Sequence, residues 1–151
     1  MNDSHSKIKQ INGGRDPIKL IQQFITERSF NHEECLQNKT ADTARWVLEV
    51  NDDFYIELIL ENIKSLSDTS IYIGVNVATV PLKKTQDFLV TALETADALV
   101  GVKISVVGHY LVMSTALNMS NITLELLDMH YTLIMEQSEW FRETLTKAYL
   151  S

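Results

Sequence analysis

A chain of 151 residues, 45% of them apolar, can bury one sizeable core and is too apolar to stay unfolded. Its 13 Lys and Arg against 20 Asp and Glu give a formal net charge of −7, which excludes nucleic acid and anionic membranes as main partners, since both need clustered cations. Proteins, small molecules and basic segments remain. The single cysteine, Cys35, excludes an internal disulfide and fits the reducing cytoplasm.

Residues 1–14 are polar, end in Gly13 and Gly14, and read as a flexible arm without the apolar run of a signal peptide. The most apolar window, residues 100–113, is broken by Lys103, two glycines and His109, so no membrane span is expected. Sequons at Asn38, Asn118 and Asn121 are read as chance occurrences in a protein that is not secreted.

Asp16 and Pro17 mark a helix start: an acceptor at the cap, then a residue that needs no N–H. Ile18, Ile21 and Ile25, flanked by Leu20 and Phe24, predict a helix over 17–29. Residues 31–44 are polar and unpatterned and read as a loop with at most a helical turn.

A hairpin follows. Trp46, Leu48 and Val50 alternate on one strand, and Phe54, Ile56, Leu58 and Leu60 on the next. A three-residue loop, Asn51 to Asp53, places both sets on one side, whereas a one-residue slip splits them. Residues 70–80 predict a third strand with Ile71, Ile73, Val75 and Val77 on the core side, Gly74 marking a bulge or close approach, and Pro81 as its end. Residues 82–97 predict a helix whose stripe is Thr85, Phe88, Leu89, Ala92, Leu93 and Ala96.

In the second hairpin a two-residue Gly108–His109 turn pairs Val107 with Tyr110, Val106 with Leu111 and Ile104 with Met113. Glycine at the first turn position suits a type II′ turn. The set expected on the core side is Val102, Ile104, Val106, Leu111, Met113 and Leu117. From 121 to 149 one long helix is predicted, capped by Ser120 or Asn121, with Leu124, Leu127, Tyr131, Ile134, Ser138, Phe141, Leu145 and Ala148 in line. At roughly 43 Å it outruns a small sheet, so its far end should bend or pack on something else. The element order is α-β-β-β-α-β-β-α. After the arm at 1–14, residues 15–151 read as one α+β domain with a mainly antiparallel five-stranded sheet packed by helices.

Chemistry-bearing patterns are sparse. His32 and Cys35 are too few for a zinc site, and Cys35 lacks an orienting triad for nucleophilic work. Glu57 and Glu61 on one strand face suit solvation better than acid–base catalysis, and Gly13 and Gly14 lack a phosphate-loop context. No catalytic, metal or cofactor-binding residue is expected. The second sheet face is more telling. It carries Val47, Tyr55, Ile59, Tyr72, Ala78, Val107, Tyr110 and Val112 among Glu57, Glu61 and Asn76, which is greasy for a face left to water. Either a helix covers it or another polypeptide docks on it. On the last helix Trp140 and Phe141 point about 100° apart, so one can serve the core and the other a partner, although core use of both is the favoured reading. Met119, Met129 and Met135 fit core filling or an adaptable surface. The candidate protein-interaction residues are Tyr55, Ile59, Tyr72, Tyr110, Val112 and Trp140.

The run Trp46, Val47, Leu48, Glu49, Val50 before a hairpin, Val80 and Pro81 leading into the middle helix, Lys103 to Val106 facing Tyr110 to Met113, and the amphipathic last helix together resemble the class I type III secretion chaperones and the related YbjN-like proteins. The resemblance spans about residues 15–150. It implies a bacterial, cytoplasmic, non-enzymatic homodimer that holds a protein or peptide client. The alternatives are a YbjN-like regulatory protein and a small-molecule-binding α+β domain.

Overall fold

The computed structural model describes residues 16–65 and 67–150. The arm expected over 1–14 lies outside the described residues. The elements are α1 (Pro17–Glu27), α2 (His32–Cys35), β1 (Leu36–Lys39), β2 (Ala44–Asn51), β3 (Phe54–Glu61), β4 (Ser70–Thr79), α3 (Thr85–Ala96), β5 (Lys103–Val107), β6 (Tyr110–Asn118) and α4 (Leu124–Leu150). The strands form one antiparallel sheet in the order β1-β2-β3-β4-β6-β5. It has six strands rather than the five expected. By contact density the chain divides into two compact units. Among the described residues, the first holds Asp16–Leu48, Glu57–Ile73 and Ala116–Met129; the second holds Glu49–Ile56, Gly74–Thr115 and His130–Leu150.

In the first unit, Asp16 caps α1 as expected: its carboxylate accepts from the Ile18 N–H at 3.0 Å, and Pro17 opens the helix. Leu20, Ile21, Phe24 and Ile25 are buried. The helix stops two residues early, and Ser29 turns the chain with φ +67°. Arg28 lies 3.8 Å over the Phe24 ring and forms an ion pair with Asp128 of α4.

The region expected as a loop holds the sixth strand. Asn31 caps the short α2 by accepting from the N–H groups of Glu33 and Glu34. β1 then pairs antiparallel with β2, with Leu36 opposite Trp46 and Lys39 opposite Ala44. Three of its four side chains are exposed, so no alternation betrays it. A partner strand supplies its ladder, and that pairing is a tertiary event. Thr40 and Thr43 close the turn, and Asp42 ties it to the backbone of Ile63 and Lys64.

The core positions of the central strands follow the expected alternation. Trp46, Leu48, Ile56, Leu58, Leu60, Ile71, Ile73, Val75, Val77, Leu111 and Met113 are buried. The residues between them on β3 (Tyr55, Glu57, Ile59) are half-buried, as are Tyr72 and Ala78 of β4 and Val112 of β6. On the opposite face Gly74, Asn76 and Ser114 are buried among these half-buried side chains. Of the residues expected on the core side of the strands, Val102, Ile104 and Leu117 are only half-buried, and Val50 and Val106 are exposed. Val50 is exposed because β2 runs past its covered stretch in its last three residues, and Val106 is 53% exposed because β5 is an edge strand.

In the second unit, β5 and β6 pair as the sequence predicts: Val107 with Tyr110, Val106 with Leu111, Ile104 with Met113. Gly108 takes φ +61° and His109 takes no positive φ, as in a type II′ turn. α3 buries Phe88 and Ala92, but Leu93, placed on its expected stripe, is 65% exposed, because only a narrow face of this helix is covered. Along α4, Leu127, Ile134, Ser138, Phe141 and Leu145 are buried, at alternating steps of three and four around the half-buried Tyr131. Ser138 donates to the Met135 carbonyl, which satisfies its hydroxyl in the core. The cap of α4 is Thr123, which accepts from Leu126 N–H; neither Ser120 nor Asn121 takes that place, because the helix starts at Leu124. Its far end packs on α3. The Tyr149 hydroxyl donates to the Lys84 carbonyl at 2.8 Å and its ring meets Phe88 edge-to-face. Burial, and then the nearby Asp87 carboxylate, raise the Tyr149 pKa above that of an ordinary phenol.

Candidate functional site

The first hairpin corner shapes a cleft of about 500 Å³ in the second unit. β2 ends at Asn51 and β3 starts at Phe54, and, Val50 apart, the apolar sets of both strands are buried as the three-residue loop predicts. The Asn51 side chain accepts from the Asp53 N–H at 3.0 Å, and this Asx turn fixes the tip. Across from it, the buried Asn76 of β4 spends its side-chain amide on β3. Its oxygen accepts from the Tyr55 N–H at 2.9 Å and its NH2 donates to the Asp53 carbonyl at 2.8 Å. An amide that donates to residue 53 and accepts from residue 55 does what the N–H and C=O of one residue on a parallel neighbouring strand would do.

The floor of the cleft is Arg142 of α4. Its Nε donates to the Val77 carbonyl and one NH2 group to the Asn76 carbonyl, both at 3.3 Å, while the guanidinium lies 4.5 Å over the Phe54 ring. Tyr55, Ala78, Thr79 and Tyr110 complete the walls, and the exposed Asp52 and Asp53 stand on the rim.

A second, shallower recess of about 200 Å³ lies between the end of α3 and α4, lined by Ala98, Leu99, Glu136, Gln137 and Trp140. Gln137 clamps the connection above it: its amide exchanges two 2.8 Å hydrogen bonds with the backbone of Val100. Gly101 turns the chain there with φ +73°, close to Leu133. Trp140 is 44% exposed while its neighbour Phe141 is buried, so the core takes only one of the pair.

Of the expected interaction residues, Tyr55 and Tyr110 line one cleft and Trp140 a separate recess. Val112 is half-buried on β6. Ile59 and Tyr72 are half-buried on β3 and β4 in the first unit, where Arg45 and Glu57 form an ion pair. Glu57, read from the sequence as part of a solvated strand face, is half-buried and held by a cation. Cys35 is buried, and no group of three or more potential metal ligands occurs among the described residues. Sequence reasoning did not single out Asn76 or Arg142. The available signal was an amide side chain between Val75 and Val77 in an otherwise apolar strand.

No family model matches this sequence, and no curated protein sequence matches it. Solved structures do. A chain of the ExsC–ExsE complex matches with a TM-score of 0.59 at 10% identity, over 87% of this chain and 97% of that one. YbjN from E. coli matches at 0.56 and 14% identity, over 88% and 93%. The Yersinia pestis type III secretion chaperone SycH, in complex with a fragment of YscM2, matches at 0.51 and 13% identity, over 82% and 97%. The fold is therefore that of the type III secretion chaperones and YbjN, as the sequence resemblance implied.

Proposed function

We propose that this chain is a non-enzymatic, cytoplasmic protein-binding module that acts as a homodimer and holds a segment of another polypeptide. One observation carries the reading. A half-buried, tyrosine-bearing sheet face is continued by an edge strand that leaves Val106 and Val107 53% and 57% exposed. Apolar area of this kind is stabilised by a protein partner, and an edge strand offers ladder groups to an extended segment. The structures that share the fold include SycH with bound YscM2 fragment and the HopA1–SchA chaperone–effector complex, which supports the same reading.

Light scattering after size exclusion should give twice the 17.2 kDa chain mass. Tyr55→Glu or Tyr72→Glu should shift the protein towards monomer without changing its circular dichroism spectrum. A strict monomer at high concentration would refute the dimer. The likeness to YbjN favours one second reading, a regulatory protein with no secreted client. Co-purification from the native host separates the two, because a single secreted client supports the first and excludes the second.

A further inference from the structure

We infer that the cleft at the first hairpin corner binds an extended peptide segment through an acidic side chain, with Arg142 as the carboxylate's partner. This deepens the protein-binding reading and rests on it for the choice of ligand. Two features point to this ligand, and a third restricts its form.

The first is the state of Arg142. It is half-buried, it is held by two carbonyls and an aromatic ring, and among the described residues it forms no ion pair. A partly desolvated cation without a counter-charge is an incomplete arrangement, and the planar guanidinium still has N–H groups to offer. A carboxylate is the acceptor that matches this fork best.

The second is Asn76. A side-chain amide holds Asp53 and Tyr55 as one residue of a parallel neighbouring strand could. Those two ladder groups are thereby already paired, so a segment entering the cleft beside that amide is met through its side chains rather than by strand addition. A volume of about 500 Å³ takes a few residues, not a folded domain.

The third is the rim. Asp52 and Asp53 are exposed, so water screens them more than the half-buried guanidinium. They disfavour a small free anion passing between them. A peptide suffers less, because its backbone N–H groups can face the rim while its acidic side chain reaches the floor. Tyr55 and Tyr110 offer flat walls to the flanking apolar residues.

The test is an NMR titration of the isotope-labelled full chain with acetyl-Val-Glu-Val-amide, its Glu-to-Gln counterpart, and glutarate. The glutamate peptide should shift the amides of residues 51–55 and 76–79 saturably. The glutamine peptide should bind about tenfold more weakly, the loss expected for a charge-assisted bond to arginine. Arg142→Gln should erase that difference, and Arg142→Lys should restore part of it, with the unbound spectra confirming that both variants fold. Tyr110→Ala, a change at an exposed position, should weaken both peptides without altering their ratio. Equal binding of the two peptides, the absence of localised shifts, or a ratio that survives Arg142→Gln overturns the proposal. Glutarate binding as tightly as the peptide assigns the cleft to a free dicarboxylate and also overturns it. Failure of the broader reading looks different: a monomer without a client fails by light scattering and capture, whichever way the peptides behave.

Discussion

The two hairpin corners turn the chain in opposite styles. At Gly108–His109 two residues suffice. A glycine at φ +61° supplies the twist, the register follows, and a hydrogen bond from Val80 N–H to the His109 carbonyl supports the turn from outside. At Asn51–Phe54 the tip is tied by Asn51, then propped by Asn76 from β4 and floored by Arg142 from α4. The first kind of corner is encoded in its own dipeptide. The second is assembled from parts 20 to 90 residues away in sequence, roughly, and it is the one that leaves a cleft. A corner that costs distant polar residues has been given more to do than reverse the chain.

Substitutions can break this contrast. Asn76→Ala should cost the most, about 2–3 kcal/mol, because it leaves the Tyr55 N–H and the Asp53 carbonyl without their partner in a buried setting. Urea unfolding would show it, and a loss below about 0.5 kcal/mol would mean the amide is incidental. Gly108→Ala should cost about 1–2 kcal/mol from left-handed strain alone, since a Cβ there meets nothing within 4 Å. The same spectrum of backbone amides should otherwise persist, which separates strain from lost packing. Asn51→Ala should cost least, about 0.5–1 kcal/mol, because its Asx bond is exposed and Asn76 still holds the corner. If Asn51→Ala exceeded Asn76→Ala, the first corner would be locally encoded after all and the contrast would fall.

The elements that were legible in the sequence share one trait: their pattern records burial or a backbone requirement on the spot. Asp16 and Pro17 start α1, the alternation from Ile71 to Val77 buries β4, and Gly108 sets the β5–β6 register. The misses share the opposite trait. β1 has no apolar side to display, Val50 and Val106 keep the alternation where the cover has ended, and Leu93 keeps a helical spacing on a face nothing covers. Of the cleft's lining, Tyr55 and Tyr110 drew notice in the sequence as large apolar-bodied side chains on a face expected to meet water. Asn76 and Arg142 were passed over, since polar residues in a strand or on a long helix are ordinary until a partner is known.

Residue order alone determined the helix starts, the buried face of each central strand and the tight second turn, because each depends on neighbours a few positions apart. Only the tertiary structure decided that Leu36–Lys39 becomes a sixth strand, that the tail of α4 docks on α3 through Tyr149, and that Asn76 and Arg142 meet at one corner. Those outcomes depend on groups far apart in the chain finding hydrogen-bond partners, and a local pattern carries no record of where such partners will stand.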